Sequence, residues 1–240
     1  CIVAFLDILG FKNMINTKAF EEIREIFSNV IPQSDFCLAL GRAAYDEDIV
    51  LNQYNDVLSK TKMHIMSDSI IIAAPVGYPE ALAVVIDICD VIQEQLYDLE
   101  VPVFLRGAIA EGDFYLDEQL IFGKGLVDAY VAQENYAVYP RIIVSDAVVK
   151  GKTVSVDSEW KKLPRDKDGY FYINTLERYF QCKTLDEFVT NGQVKKIRQC
   201  VDSRLQGYAD SHLREKYIWI RQELERIKHN LAYDNNIVMV

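Results

Sequence analysis

Two short runs in which apolar residues meet an aspartate constrain this chain more than anything else in it: FLDILGF, Phe5 to Phe11, and MSDSIII, Met66 to Ile72. The first closes a nearly continuous apolar stretch over residues 1–8. That stretch reads as a buried central strand, ending beside Asp7 and opening through Gly10 onto a helix. In the second, Ser67-Asp68 reads as the tight turn between strands over residues 61–66 and 69–75. An aspartate at either place alone is commonly an Asx turn or a helix cap. A strand that ends in a carboxylate and leads into a helix N-terminus can also hold a divalent cation and a phosphate side by side.

Apolar periodicity fills in the rest. A helix is expected over residues 11–31, with Phe20, Ile23, Ile26, Phe27 and Val30 on one face. Residues 34–60 are mixed in polarity and read as a helical insertion. A strongly apolar helix runs from Pro79 to Tyr97, a strand from Pro102 to Ala110, and a short hairpin starts at Gly112. A helix follows from Phe122-Gly123 through Glu134, then a strand from Arg141 to Ser145. The leading order β-α-β-β-α-β predicts an α+β protein with a ferredoxin-like core. In that topology the first and third strands are antiparallel neighbours, so Asp7 and Asp68 meet although sixty-one residues separate them. Two carboxylates so placed repel, and removing either should stabilise the metal-free protein. The tail is helical over residues 184–205 and again over 209–231. There Leu213, Tyr217, Ile220, Leu224, Ile227 and Leu231 form a 4-3 stripe, which would serve a helix packed on its own domain or one that stabilises a dimer.

Composition excludes several classes. The 240 residues are half hydrophobic, enough for one large core, and the formal net charge is −10. An acidic surface repels duplex phosphate, so no DNA partner is expected. Five scattered cysteines (1, 37, 89, 182 and 200) without a CxxC, and three scattered histidines, offer no zinc grouping and fit a reducing cytoplasm. No apolar run approaches the ~20 residues of a membrane span, and the N-terminal segment lacks the basic flank of a secretory signal. The sequence opens at Cys1 in strand-forming residues without a Met, so a few residues are expected upstream.

The chemistry that these residues support is metal-assisted. Asp7, Asp68 and the carbonyl of Ile8 form a hard-oxygen set suited to Mg²⁺ or Mn²⁺, and a pair of such carboxylates suits a two-metal site. Leu9, Gly10 and Phe11 form a turn whose backbone could approach a phosphate, although a plain strand-to-helix turn would look the same.

FLDILGF, MSDSIII, LRGAIAEG (Leu105 to Gly112), FGKGLVDAY (Phe122 to Tyr130) and PRIIVS together resemble the catalytic domain of class III nucleotidyl cyclases, over about residues 1–150. The AY followed by YPRI, and DKDGYFYI (Asp166 to Ile173), are similar to the Pycsar pyrimidine cyclases of bacterial anti-phage defence. The resemblance implies a catalytic domain over residues 1–180 with a C-terminal helical extension over 181–240. It further implies a cytoplasmic homodimer, two metal ions held by Asp7 and Asp68, and conversion of UTP or CTP to the 3′,5′-cyclic monophosphate plus pyrophosphate. A separate effector would sense that product. The resemblance carries a base contact onto His64, four residues before Asp68, and a triphosphate contact onto Lys167. It also exposes a departure. Purine-cyclising members carry an Asn and, four residues on, an Arg on the helix after the hairpin; here the slots are Val127 or Asp128, then Val131 or Ala132. A cation must come from elsewhere, and Arg106 and Arg141 are the candidates. The competing reading is a degenerate module that binds a nucleotide without turnover. A diguanylate-cyclase relative would need a Gly-Gly-Asp/Glu-Glu-Phe hairpin where this chain has Met-Ser-Asp-Ser-Ile.

Overall fold

The computed structural model describes residues 1–30, 48–150, 163–207 and 211–237. The apolar run at the start forms β1 (Ile2–Ile8), and the helical stretch after Gly10 is split into α1 (Phe11–Thr17) and α2 (Phe20–Val30). Lys18 adopts an extended conformation between them, so the two helices change direction and Phe27 reaches Phe11 edge-on, ring centroids 5.7 Å apart. Ile23 and Ile26 are buried on the expected face, but Phe20, beside the break, is 74% exposed. Of the expected insertion, 34–47 lies outside the described residues, and the remainder is α3 (Asp48–Lys60), with Tyr54 and Val57 fully buried.

Next come β2 (Lys62–Met66), β3 (Ser69–Ala74), α4 (Ala81–Asp98) and β4 (Leu105–Glu111). A small hairpin of β5 (Tyr115–Leu116) and β6 (Ile121–Phe122) leads into α5 (Lys124–Tyr136). After it come β7 (Ile142–Val144), α6 (Asp146–Lys150) and β8 (Phe171–Tyr172). The main sheet has the order β2-β3-β1-β4-β7-β8. Each neighbouring pair among the first four strands is antiparallel, β7 is parallel to β4, and β8 is antiparallel to β7. This is the βαββαβ ferredoxin-like arrangement extended by two strands.

Alternation along β1 assigns the two faces of the sheet. Ile2, Ala4, Leu6 and Ile8 point into the main core with Ile70, Ile72, Leu105 and Ile109, covered by α2, α3 and α4. Val3, Phe5 and Asp7 point the other way. That outer face is partly covered by α5, which comes very close because Gly112 and Gly125 meet: a Cβ on Gly112 would lie 2.5 Å from the Gly125 nitrogen.

The tail comprises α7 (Thr175–Phe180), α8 (Leu185–Thr190), α9 (Gly192–Gly207) and α10 (Ser211–Ile237). The expected helix over 184–205 is interrupted at Asn191, whose side chain accepts the amides of Gln193 and Val194 and so starts a new helix. The 4-3 stripe faces this chain's own core. Tyr217, Ile220, Leu224 and Ile227 are buried with Phe104, Ala108, Ile143, Phe188 and Val201. Among the described residues no helix is long and apolar enough to cross a membrane, and Cys1, Cys89, Cys182 and Cys200 are free thiols.

Two measurements check this packing. Leu224→Ala removes a fully buried side chain and should cost about 2–5 kcal/mol; because its partners lie in the same chain, the loss should not depend on protein concentration. The second concerns Glu94 on α4, whose pKa is pushed up to about 7, first by burial and then by Asp90 and Asp98, against the pull of Arg178. A carboxyl whose folded pKa is raised holds its proton in the folded state after the unfolded chain has lost it. Stability therefore falls as pH rises from about 4.5 to about 7. Glu94→Gln should raise stability by about 1–2 kcal/mol at pH 8, after a discount for partial solvent exposure, and by nothing at pH 4 in chemical denaturation.

Candidate active site

The strand register builds the site. On the outer face Met66, Ser69, Asp7 and Arg106 lie in one row across β2, β3, β1 and β4. His64, Ile71, Phe5 and Ala108 form the next row, and Lys62, Ala73, Val3 and Ala110 the third. Asp7 and His64 therefore share a face, one row apart, on the open side of α5.

Asp68 reaches Asp7 through the turn. Ser67 takes a positive φ of 58°, which tightens the β2–β3 connection. The Asp68 carbonyl then accepts the Ile8 N–H at 2.9 Å, directly after the Asp7–Ser69 pair. The Asp7 carboxyl has its pKa raised, chiefly by burial; Arg106 lowers it, Asp68 raises it by like charge, and Lys216 lowers it. The two aspartates that the sequence singles out thus act on one another. Ile8 has its side chain in the core, 2% exposed, so only its carbonyl is available as a ligand.

Arg106 is the cation of the row. Its Nε donates to Asp7 Oδ2 at 2.7 Å, and its terminal nitrogen reaches Glu134 Oε1 on α5 at 3.3 Å. Both side chains of the Arg106–Asp7 pair are 19% exposed. One Asp7 oxygen is thereby taken, and the other is left for a further partner. Among the described residues no cluster of three or more His, Cys, Asp or Glu gathers. Two mutually repelling carboxylates still fit a hard divalent cation, which would relieve their repulsion, provided that the remaining ligands are carbonyl, water and phosphate oxygens.

Gly10 is left-handed at φ 82°, and its carbonyl accepts the amides of Asn13 and Met14. A side chain other than glycine would be strained here. The Leu9 and Phe11 side chains are buried, so only backbone from this turn can meet a ligand. The Leu9 amide itself is spent on the Phe104 carbonyl at 2.9 Å.

The other two candidates lie elsewhere. Arg141, 3% exposed, is bonded to both Asp166 and Asp168 and is ringed by Tyr139, Tyr172 and Trp219 at 5.5–5.9 Å. Its charge pins the Asp166–Gly169 loop to the sheet and does not join Asp7. Lys167 belongs to that loop and lines a cavity of about 550 Å³ with Arg165, Trp219 and Arg226, separate from the aspartate pair. On α5, Val127 and Val131 are exposed, Asp128 is paired with Lys124, and Ala132 packs into the second core, so none of the slots holds a donor for a developing charge. Glu134 and Lys216 were not legible in the sequence. Glu134 is an ordinary helix-surface residue until the fold sets it beside Arg106, and Lys216 comes from the far end of the chain.

No protein-family model and no curated protein matches the sequence. Among solved structures, the chain is similar to the guanylyl cyclase Cya2, at 11% identity over 71% of this chain and 89% of that one, with a TM-score of 0.44. The guanylate cyclase domain of RhGC from Catenaria anguillulae, in complex with GTP, matches at 12% identity over 71% and 92%, TM-score 0.44. A bacterial light-regulated adenylyl cyclase matches at 12% identity over 83% and 96%, TM-score 0.40. At such distances the activity has to be reasoned from the side chains of the site.

The site geometry separates the two aspartates in their effect on stability, where the sequence treated them alike. In metal-free protein, Asp68→Asn should leave the melting temperature unchanged or raise it, since it removes repulsion from Asp7. Asp7→Ala should instead lower stability, by about 1–2 kcal/mol, because it strips Arg106 of a partly buried partner. Parallel thermal melts in EDTA check both.

Proposed function

We propose that this chain is a nucleotidyl cyclase, a phosphorus–oxygen lyase that closes a nucleoside triphosphate to its 3′,5′-cyclic monophosphate and releases pyrophosphate. The observation that carries the reading is the convergence of Asp7 and Asp68 at one strand end, beside Arg106 and a left-handed glycine turn. Carboxylates gathered next to cations and open backbone suit a triphosphate brought in with divalent ions.

Each residue has a part in the reaction. Asp7, Asp68 and the Ile8 carbonyl would hold two Mg²⁺ or Mn²⁺ ions. Those ions, when bound, would acidify the ribose 3′-hydroxyl and neutralise the phosphates. The 3′ oxygen forms its bond to the α-phosphorus as the bond from that phosphorus to the bridging oxygen of the β-phosphate breaks, and the hydroxyl proton passes to solvent. Because the attack is intramolecular, holding ribose and phosphates in line accounts for much of the rate. Arg106, on the same row as Asp7, would meet the negative charge that develops. The Leu9–Phe11 turn would line the phosphates with backbone, and His64, one row away, would contact the base. Arg141 positions the Asp166–Gly169 loop, and Lys167 on that loop would reach the triphosphate only by moving out of its own cavity.

The finer reading rests on the pyrimidine-cyclase resemblance: UTP or CTP as substrate, a cyclic pyrimidine monophosphate as second messenger in anti-phage defence, and residues 1–180 as the catalytic unit with 181–240 as its extension. A histidine at position 64 favours a base other than adenine. A homodimer is supported by exposed apolar side chains on α5, Val127, Tyr130 and Val131, and by exposed Phe122 at the end of β6 just before it. A second reading, a module that binds nucleotide without turnover, is favoured by the lack of Asn or Arg on α5 and by the engagement of Arg106 with two carboxylates.

Incubation with each of the four NTPs and Mn²⁺, with product identification, decides between them. The cyclase reading predicts a cyclic pyrimidine monophosphate plus pyrophosphate from wild type, none from Asp7→Ala or Asp68→Ala, and a loss of about 100-fold or more in Arg106→Ala. No product from any NTP favours the module, and full activity in Asp68→Ala removes the metal assignment.

A further inference from the structure

We propose that the cavity between α9 and the turn leading from α4 into β4 is a binding site for a polyol that carries a phosphate at each end, and that its occupant bears on the Leu9–Phe11 turn from behind. The site lies outside the Asp7–Asp68 centre and does not depend on the cyclase reading.

Residue spacing on α9 builds it. Lys196, Gln199, Cys200, Ser203 and Arg204 line a cavity of about 580 Å³. They recur at intervals of three and four and so share one face of the helix. Val194, Ile197, Val201 and Leu205 are buried on another face, which fixes the rotation of α9. The opposite wall is Asn13 of α1 together with Glu100, Val101 and Pro102. Cys200 Sγ donates to the Pro102 carbonyl at 3.6 Å and ties the two walls together.

The lining selects the ligand. Lys196 and Arg204 stand at the two ends of the row, eight residues and so about 12 Å apart along the helix axis. Lys196 Nζ donates to the Asp98 carbonyl at 2.9 Å, a neutral acceptor that does not cancel its charge. Two cations against the one carboxylate of Glu100 make the lining positive in a chain whose net charge is −10. Such a place draws anions. Gln199 and Ser203 lie between the cations, with Asn13 and Glu100 across from them, and these groups donate to or accept from hydroxyls. Among the described residues that line the cavity there is no aromatic side chain, so a nucleobase finds no ring to stack on. A phosphate for each cation, with hydroxyls between, matches this order of groups.

The same residues reach the Gly10 turn. Asn13 and Arg204 also line a small cavity of about 60 Å³ behind Leu9 and Gly10. The Asn13 amide donates to the Gly10 carbonyl at 3.0 Å. A ligand held by Asn13 and Arg204 therefore presses on the left-handed glycine that leads from β1 into α1.

Calorimetric titration of the full chain with fructose 1,6-bisphosphate tests the site, with fructose and inorganic phosphate as controls. Wild type should bind the bisphosphate about tenfold or more tightly than either control. Lys196→Met should weaken binding about tenfold, the size of one charge-assisted contact. Ser203→Trp, which fills the cavity from an exposed helix position, should abolish it, and neither change should move the melting temperature. Asp68→Asn should bind as wild type does. Amide hydrogen exchange over residues 9–14 should slow about twofold or more at saturation. No binding by wild type, equal binding by wild type and Lys196→Met, or phosphate bound as tightly as the bisphosphate overturns the proposal. A loss of binding in Asp68→Asn also overturns it, because it moves the ligand to the aspartate pair. Binding that leaves exchange over residues 9–14 unchanged overturns the contact with the turn.

Discussion

The pairing of β1 between β3 and β4 is the constraint on which the remaining structure depends. It sets Asp7 opposite Ser69 on one side and Arg106 on the other. The same register buries Ile2, Ala4, Leu6 and Ile8 against the helical layer. Side chains alternate along a strand, so a slip of one residue would turn Asp7 into an apolar core and Leu6 and Ile8 into the site. Core and site are therefore specified together. The hydrophobic term that holds β1 in place also presents its one carboxylate on the open face.

That coupling explains what the sequence discloses. Asp7 and Asp68 can be read directly, because each interrupts an apolar run at a strand end and the β-α-β-β-α-β order brings those ends together. Arg106 can be read as a strand residue, and pairing places it against Asp7. Arg141 has the same local signature, a basic residue at the start of an apolar strand, yet it is enclosed by Asp166, Asp168 and Trp219. What separates the two arginines is tertiary. Arg106 has Asp7 as its cross-strand neighbour, whereas Arg141 meets a loop and a helix that lie much later in the chain. Local pattern does not encode that difference. The helix after Gly10 shows a similar limit: its apolar spacing runs through Lys18, but packing Phe27 onto Phe11 requires a break there.

The tail changes the picture of the site most. Its 4-3 stripe left open whether α10 serves this chain or a partner, and the buried Tyr217, Ile220, Leu224 and Ile227 place it on this chain's own sheet. With α10 seated there, the outer face is divided. Phe104, Ala108 and Ile143 are covered, and the Asp7–His64 side stays open beside α5. The acidic net charge of −10 makes such local cation placement necessary for any polyphosphate ligand. Arg106, on β4, is the cation that the fold sets beside Asp7.

The joint binding of divalent cations by Asp7 and Asp68, which would carry a triphosphate, is the step on which the proposed reaction turns. It is tested most directly by electron paramagnetic resonance titration of Mn²⁺ onto wild-type and Asp68→Asn protein, with and without UTP. UTP-dependent Mn²⁺ binding in the wild type should be lost in the variant while the fold is retained. Equal Mn²⁺ binding by the two proteins in the presence of UTP would contradict it.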